Sequence, residues 1–284
     1  MGRDTPVPVR ASATTDPPHG GENVSVRLSP AVRGMSVLAA LLLAGGVAAC
    51  GGPAAQPTGP GTASAPPDPD DARAALAARA ALAQDHRFAA LYHLDVPGAP
   101  QRNVVATVAN DGSWRVDIAG GALGGTADVS IVSNADGVYQ CSLSSVTNPV
   151  SPSCVRVADP GKRVPRAYDP KVERLFRSWL SVFTDRQSAL SVTAAGPLPG
   201  SQGSCFSIDS ISASLNPPVD VGIYCFADDG LLTAARVNFG VLTIASTPVT
   251  PPAKVDLPGP VSGGPPMGMA SPPPPPVVSV APSA

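Results

Sequence analysis

Five cysteines carry the most direct chemical signals in this 284-residue chain: Cys50, Cys141, Cys154, Cys205 and Cys225. Cys50 closes the segment MSVLAALLLAGGVAAC, in which an apolar stretch from Val37 to Val47 follows Arg27 and Arg33. A basic region, a short apolar region and then small residues make the layout of a secretory signal peptide. The thiol of Cys50 thus stands at a processing point, where it can act as a nucleophile. The other four cysteines are an even number behind an export signal, and exported domains meet an oxidising environment. Four cysteines allow three pairings. Cys141 and Cys154 fall on successive predicted strands either side of one loop, and so do Cys205 and Cys225. Facing residues of a non-hydrogen-bonded antiparallel pair have Cα atoms about 4.5 Å apart, within the reach of a disulfide. The expectation is therefore sequential pairing, Cys141–Cys154 and Cys205–Cys225. Zinc is the rival use of four cysteines, but gaps of 13 and 20 residues contain no CxxC knuckle,.

Catalytic signals are weak. His19 precedes the signal segment, His86 falls where a predicted helix ends, and His93 lies on the mixed face of a predicted strand. No GxSxG, HExxH, SxxK or Walker sequence is present,. The glycine-rich stretch Gly120–Gly125 is followed by neither a helix nor Gly-Lys, so it reads as a loop. Asp111, Asp136, Asp228 and Asp229 sit in predicted turns, where carboxylates serve backbone geometry,. The sequence is thus read as non-enzymatic, with no catalytic residue, no metal and no cofactor. A net charge of −2 gives no electrostatic footprint for nucleic acid,. No apolar run approaches the roughly 18 residues of a membrane span.

The elements that must position these residues follow from composition. Of the 35 prolines, 11 fall in residues 1–70 and 13 in residues 248–284. All twelve aromatic residues lie between Phe88 and Phe239. One core-forming domain, 70–247, is therefore expected between arms too poor in large apolar residues to fold. Residues 1–49 read as the signal peptide, with the 34 residues ahead of Met35 explained by a start assigned too early, the true one lying near 24–35. Residues 50–69 read as a tether, and 248–284 as a disordered proline-rich tail. The five prolines Pro272–Pro276 favour polyproline II, either as a spacer or as a ligand for a partner,. Within the domain, Asp68-Pro69-Asp70-Asp71 opens an alanine-rich helix to about Gln84, with Leu76, Ala80 and Ala83 on its apolar face,. Period-two patterning then begins at Phe88 and recurs through Ile244, with turns at Asn110-Asp111-Gly112, Asn134–Gly137 and Asp228-Asp229-Gly230,. It is interrupted by a second helix, capped by Asp169 and burying Val172, Leu175, Phe176, Trp179 and Phe183, with Arg174, Arg177 and Arg186 facing away,. The predicted fold class is α+β: a curved antiparallel half-barrel of about nine strands on two helices. Two helices cover too little of such a sheet, which leaves an apolar face in need of a partner.

Val47-Ala48-Ala49-Cys50 resembles the lipobox of bacterial lipoproteins. That resemblance implies a diacylglyceryl thioether on Cys50, further acylation such as palmitate, and anchoring at the extracytoplasmic face of the cell membrane. Arg outnumbers Lys 16 to 3 and alanine abounds, a bias of GC-rich genomes such as those of actinobacteria. The lipobox, a leading helix, antiparallel strands and an interrupting amphipathic helix together resemble the LolA-like and LprG-like lipoproteins of the actinobacterial cell envelope. The resemblance covers about residues 71–250 and implies an apolar cavity that binds or carries a lipid. It assigns no individual ligand-binding residue. The alternative is a non-enzymatic interaction module that binds an envelope protein or wall polymer.

Overall fold

The computed structural model describes residues 69–146, 148–212 and 218–271. The signal segment, Cys50, the tether and Pro272–Pro276 lie outside the described residues.

Helix α1 (Pro69–Asp85) places Asp70 and Asp71 in its first turn, where the exposed N–H groups favour negative charge,. Ala72, Leu76, Ala80 and Ala83 recur along one side and are buried. Six strands follow: β1 (Phe88–Asp95), β2 (Arg102–Val108), β3 (Trp114–Ala122), β4 (Ala127–Asn134), β5 (Gly137–Ser142) and β6 (Ser153–Ala158). A crossover then carries the short helix α2 (Leu180–Thr184) and leads to β7 (Leu190–Ala195), β8 (Ser204–Ser210), β9 (Gly222–Phe226), β10 (Leu232–Val237) and β11 (Gly240–Ile244). All pairs are antiparallel, in the order β6-β5-β4-β3-β2-β1-β11-β10-β9-β8-β7. Two meanders are thus joined where β1 pairs β11, with Tyr92 opposite Ile244. The sheet is open, with β6 and β7 at its edges. The fold is α+β.

Side-chain alternation divides the sheet into two faces. Phe88, Ala90, Tyr92 and Leu94 of β1 share the main core with α1 and the crossover, as do Val104, Ala106 and Val108 of β2. On the opposite face, Val132, Tyr139, Cys141 and Cys154 form one cluster, and Leu198, Cys205, Cys225 and Ala234 another. The turn carboxylates hold backbone. Asp111 Oδ1 accepts the Ser113 N–H at 2.9 Å and Asp229 Oδ1 accepts the Leu231 N–H at 3.0 Å. At Gly230, φ is +90° and a Cβ would stand 2.4 Å from the Ala83 nitrogen, so glycine lets this turn abut α1,.

Three expectations are corrected. There are eleven strands in place of nine. A turn that the sequence pattern did not mark, at Asn238-Phe239, joins β10 to β11 with Val237 opposite Gly240. The second helix is broken. Asp169 Oδ1 accepts the Lys171 N–H at 2.6 Å, and Lys171 takes φ +69°, so the chain cannot run helically from Pro170. A 3-10 turn, Val172–Leu175, precedes α2, yet Val172, Leu175, Phe176, Trp179 and Phe183 are all buried as their spacing requires.

The third correction concerns the tail. Residues 248–271 pack on the domain as a strap. Val249 bridges Ala89, and the carbonyls of Pro252 and Ala253 accept the N–H groups of Asn110 and Asp111. Val255 is buried against the Cys141 cluster. The strap then pairs with edge strand β6: Cys154 donates to Pro260 O at 2.9 Å and accepts from Ser262 N–H at 2.8 Å. Met267 and Met269 finish against the main core. Proline suits this path because only some strap N–H groups are needed, and the strap satisfies an edge that would otherwise template aggregation.

Candidate ligand site on the helical face

The helical face is covered by side chains from three separate segments. α1 contributes Leu76 and Ala80. The crossover contributes Leu175, Phe176, Trp179, Leu180 and Phe183, and the strap end adds Met267 and Met269. Phe176 meets Tyr92 edge-on at 5.0 Å between ring centroids, and Phe183 meets Tyr224 at 5.1 Å. The expected bare apolar face is therefore filled. Ala106, a small residue of the main core, has no exposed surface.

Polar contacts fasten the covering segments at a few points. Gln140, buried on β5, donates from Nε2 to Tyr168 O at 3.0 Å and to Met267 O at 2.9 Å, and its Oε1 accepts the Met267 N–H at 2.6 Å. One amide thereby holds both the crossover and the strap. Arg177 donates to Gln84 O at 3.0 Å, and Arg73 donates to Ser188 O at 2.7 Å, tying the crossover to α1.

A cleft of about 320 Å³ opens beside this cover, between the starts of β3 and β5 and the crossover. Trp114, Val138, Val164 and Trp179 form its apolar wall. Behind them lies a buried charge network. Asp169 accepts two hydrogen bonds from Arg174, through Nε at 2.7 Å and through the terminal nitrogen Nη2, and Asp220 lies 3.6 Å from the same guanidinium. Arg174 and Arg163 stand over the Trp179 ring, at 5.6 and 5.0 Å from its centroid. Arg174 therefore does not face away. Glu173 is 2% exposed, and its Oε2 has no partner, as is true of Trp179 Nε1. Burial, then the charge of Asp169 and a hydrogen bond to it, push the Glu173 carboxyl well above the ordinary carboxylate range. Both causes favour the neutral acid over a second carboxylate beside Asp169,.

Cys141 and Cys154 are bonded, as are Cys205 and Cys225, each pair directly opposed across neighbouring strands with Cα atoms 4.0 Å apart. The Cys154 backbone turns its N–H and C=O to the strap, which makes Cys141/Cys154 a non-hydrogen-bonded pair,. Both disulfides lie on the face away from the crossover. His93 Nδ1 is 3.1 Å from Asn103 Oδ1, and His86 is 4.0 Å from Asp229. Neither histidine is near the cleft residues in sequence or strand. Among the described residues no group of His, Cys, Asp and Glu could hold a metal, and no helix is long and apolar enough to cross a membrane.

Sequence reasoning placed Trp179 in the core but missed Glu173 and the cleft that Trp179 lines. The available signal was an acid between two apolar positions, Val172 and Leu175, preceded by the basic cluster Lys162, Arg163 and Arg166. No protein-family model matches this chain, and no curated protein matches it.

Proposed function

We propose that this chain is a lipid-anchored extracytoplasmic lipoprotein, held to the membrane through Cys50, that binds or carries a lipid or other apolar ligand on the helical face of its sheet. The anchor rests on Val47–Cys50. The binding reading rests on one observation: the crossover covers the sheet with large apolar side chains carried on, or directly flanking, helical turns of only four and five residues. Such a cover can exchange with a ligand. Five displaced side chains lose about 7–15 kcal/mol of burial, and an acyl chain of some sixteen methylenes returns about 13 kcal/mol at 0.8 each. The exchange is close to balanced, so a ligand can move the cover without unfolding the sheet. Recovery of bound lipid with the exported protein is the test.

A second reading, a non-enzymatic interaction module for an envelope protein or wall polymer, is favoured by the filled helical face. The surface clefts around it measure about 300 to 590 Å³, and most have mixed polar and apolar walls. Absence of any bound or bindable lipid would put this reading first.

A further inference from the structure

The crossover opens with three cations in five residues, Lys162, Arg163 and Arg166, all lining the cleft at Trp179. Structural duties account for part of this charge. Arg174 is matched by Asp169 and Asp220, and Arg163 lies over the Trp179 ring. Asp169 and Glu173 also line the cleft. Asp169 is neutralised by Arg174, and burial together with the charge of Asp169 disfavours the ionised form of the Glu173 carboxyl. Lys162 and Arg163, both exposed, thus place positive charge at the mouth of the cleft.

Its wall also holds an unmet donor. Trp179 is 3% exposed, and its Nε1–H finds no acceptor in the protein. A buried donor without a partner is uncommon and costly. Trp179 lines the cleft, so a ligand oxygen that reaches its buried Nε1–H would satisfy it, while Lys162 and Arg163 balance negative charge. The wall formed by Trp114, Val138 and Val164 is continuous with the main core through Val138 and Val164. A group bound here could therefore continue into an apolar chain under the crossover.

We propose that this cleft binds a phosphate group, presented as the headgroup of an anionic amphiphile whose apolar part lies on the helical face. Lys162 and Arg163 supply charge, and Trp179 Nε1–H supplies the directed hydrogen bond. The amphiphile half of this inference rests on the lipid-binding reading; the phosphate half does not. Because the cations are exposed, affinity falls as salt rises.

The test uses the full chain with Cys50→Ser, and the two tryptophans, Trp114 and Trp179, are its built-in reporters, both lining the cleft. Fluorescence titrations with inorganic phosphate, dioctanoyl phosphatidic acid and uncharged dioctanoylglycerol separate headgroup from chain. Phosphatidic acid is expected to bind at least ten-fold tighter than dioctanoylglycerol. Lys162→Ala with Arg163→Ala removes two exposed side chains and should cost phosphatidic acid about ten-fold in affinity while leaving dioctanoylglycerol unchanged. Trp179→Phe keeps a ring but loses the N–H, and should weaken phosphatidic acid several-fold, read from Trp114. Equal binding of the two amphiphiles, or no loss in the double variant, overturns the phosphate site and leaves lipid binding standing. Saturable binding of inorganic phosphate alone supports the site with a free anion as its ligand and removes the amphiphile. No binding of any probe overturns both.

Discussion

The Gln140 side chain grips Met267 by both of its backbone groups, accepting its N–H at 2.6 Å and donating to its carbonyl at 2.9 Å, 127 residues apart in sequence. The same Nε2 donates to Tyr168 O. Crossover and strap are thus coupled through one buried amide. Gln140→Leu keeps the volume and leaves three backbone groups without a partner. We expect a loss of about 2–4 kcal/mol of stability, with faster amide exchange in residues 260–269 than in the strands. Unchanged strap exchange would show that the amide does not fasten it.

The strap was not legible in the sequence, and the reason is physical. Residues 248–271 contain no period-two or helical pattern, since their order comes from pairing with atoms far away, such as Pro260 O with Cys154 N–H. Composition reports what a segment can bury alone; Val255 is buried only because Tyr139 and Cys141 leave a place for it. Local pattern served better where one face of an element decides. The alternation Phe88, Ala90, Tyr92, Leu94 marked β1, and Leu76, Ala80 and Ala83 marked the buried side of α1. Spacing also identified which crossover residues are buried, though not that Lys171 breaks the helix. On the opposite face, the cysteine pairings were readable because each pair brackets a single loop. The Glu173–Asp169 pair was not, because it depends on Arg174 bending inward.

Glu173 makes stability depend on pH. Its folded carboxyl titrates well above the ordinary 4.5, through burial first and Asp169 second. Below about pH 4.5 it is protonated whether folded or unfolded. As pH rises from there toward the folded value, the unfolded chain releases a proton that the folded chain keeps, so stability falls, then levels off. Asp169 and Arg174 are the charged groups beside it. Glu173→Gln retains a donor toward Asp169 and cannot ionise. The variant should match wild type at pH 4.5 and exceed it by about 1 kcal/mol or more at pH 8 in urea unfolding. Parallel curves across that range would contradict a buried, protonated Glu173.

Each disulfide closes a loop, of 13 residues for Cys141–Cys154 and 20 for Cys205–Cys225. Chain entropy assigns roughly 3 kcal/mol to each. Replacing either pair by alanine should lower the unfolding midpoint, and both replacements together should lower it by nearly the sum, because the two pairs occupy separate clusters,. Non-reducing peptide maps should contain these two links only. A Cys141–Cys225 link would refute the pairing.

For the anchor, Cys50→Ser removes the thiol that a thioether requires. Wild type expressed in a bacterial host should label with palmitate and partition into detergent, and the variant should do neither. Equal labelling of both would exclude Cys50 as the lipidation site.

Lipid binding on the helical face is measured most directly by native mass spectrometry of the full chain carrying Cys50→Ser, exported so that both disulfides form and purified without detergent. Removing the proposed anchor ensures that any lipid mass is a bound ligand. The expected spectrum contains the protein plus one or more acyl-lipid masses that are lost on denaturation, with fluorescent fatty acid binding to the delipidated protein. A spectrum of bare protein, together with no binding of fluorescent fatty acid or phospholipid, would contradict lipid binding and leave the interaction module as the function of this fold.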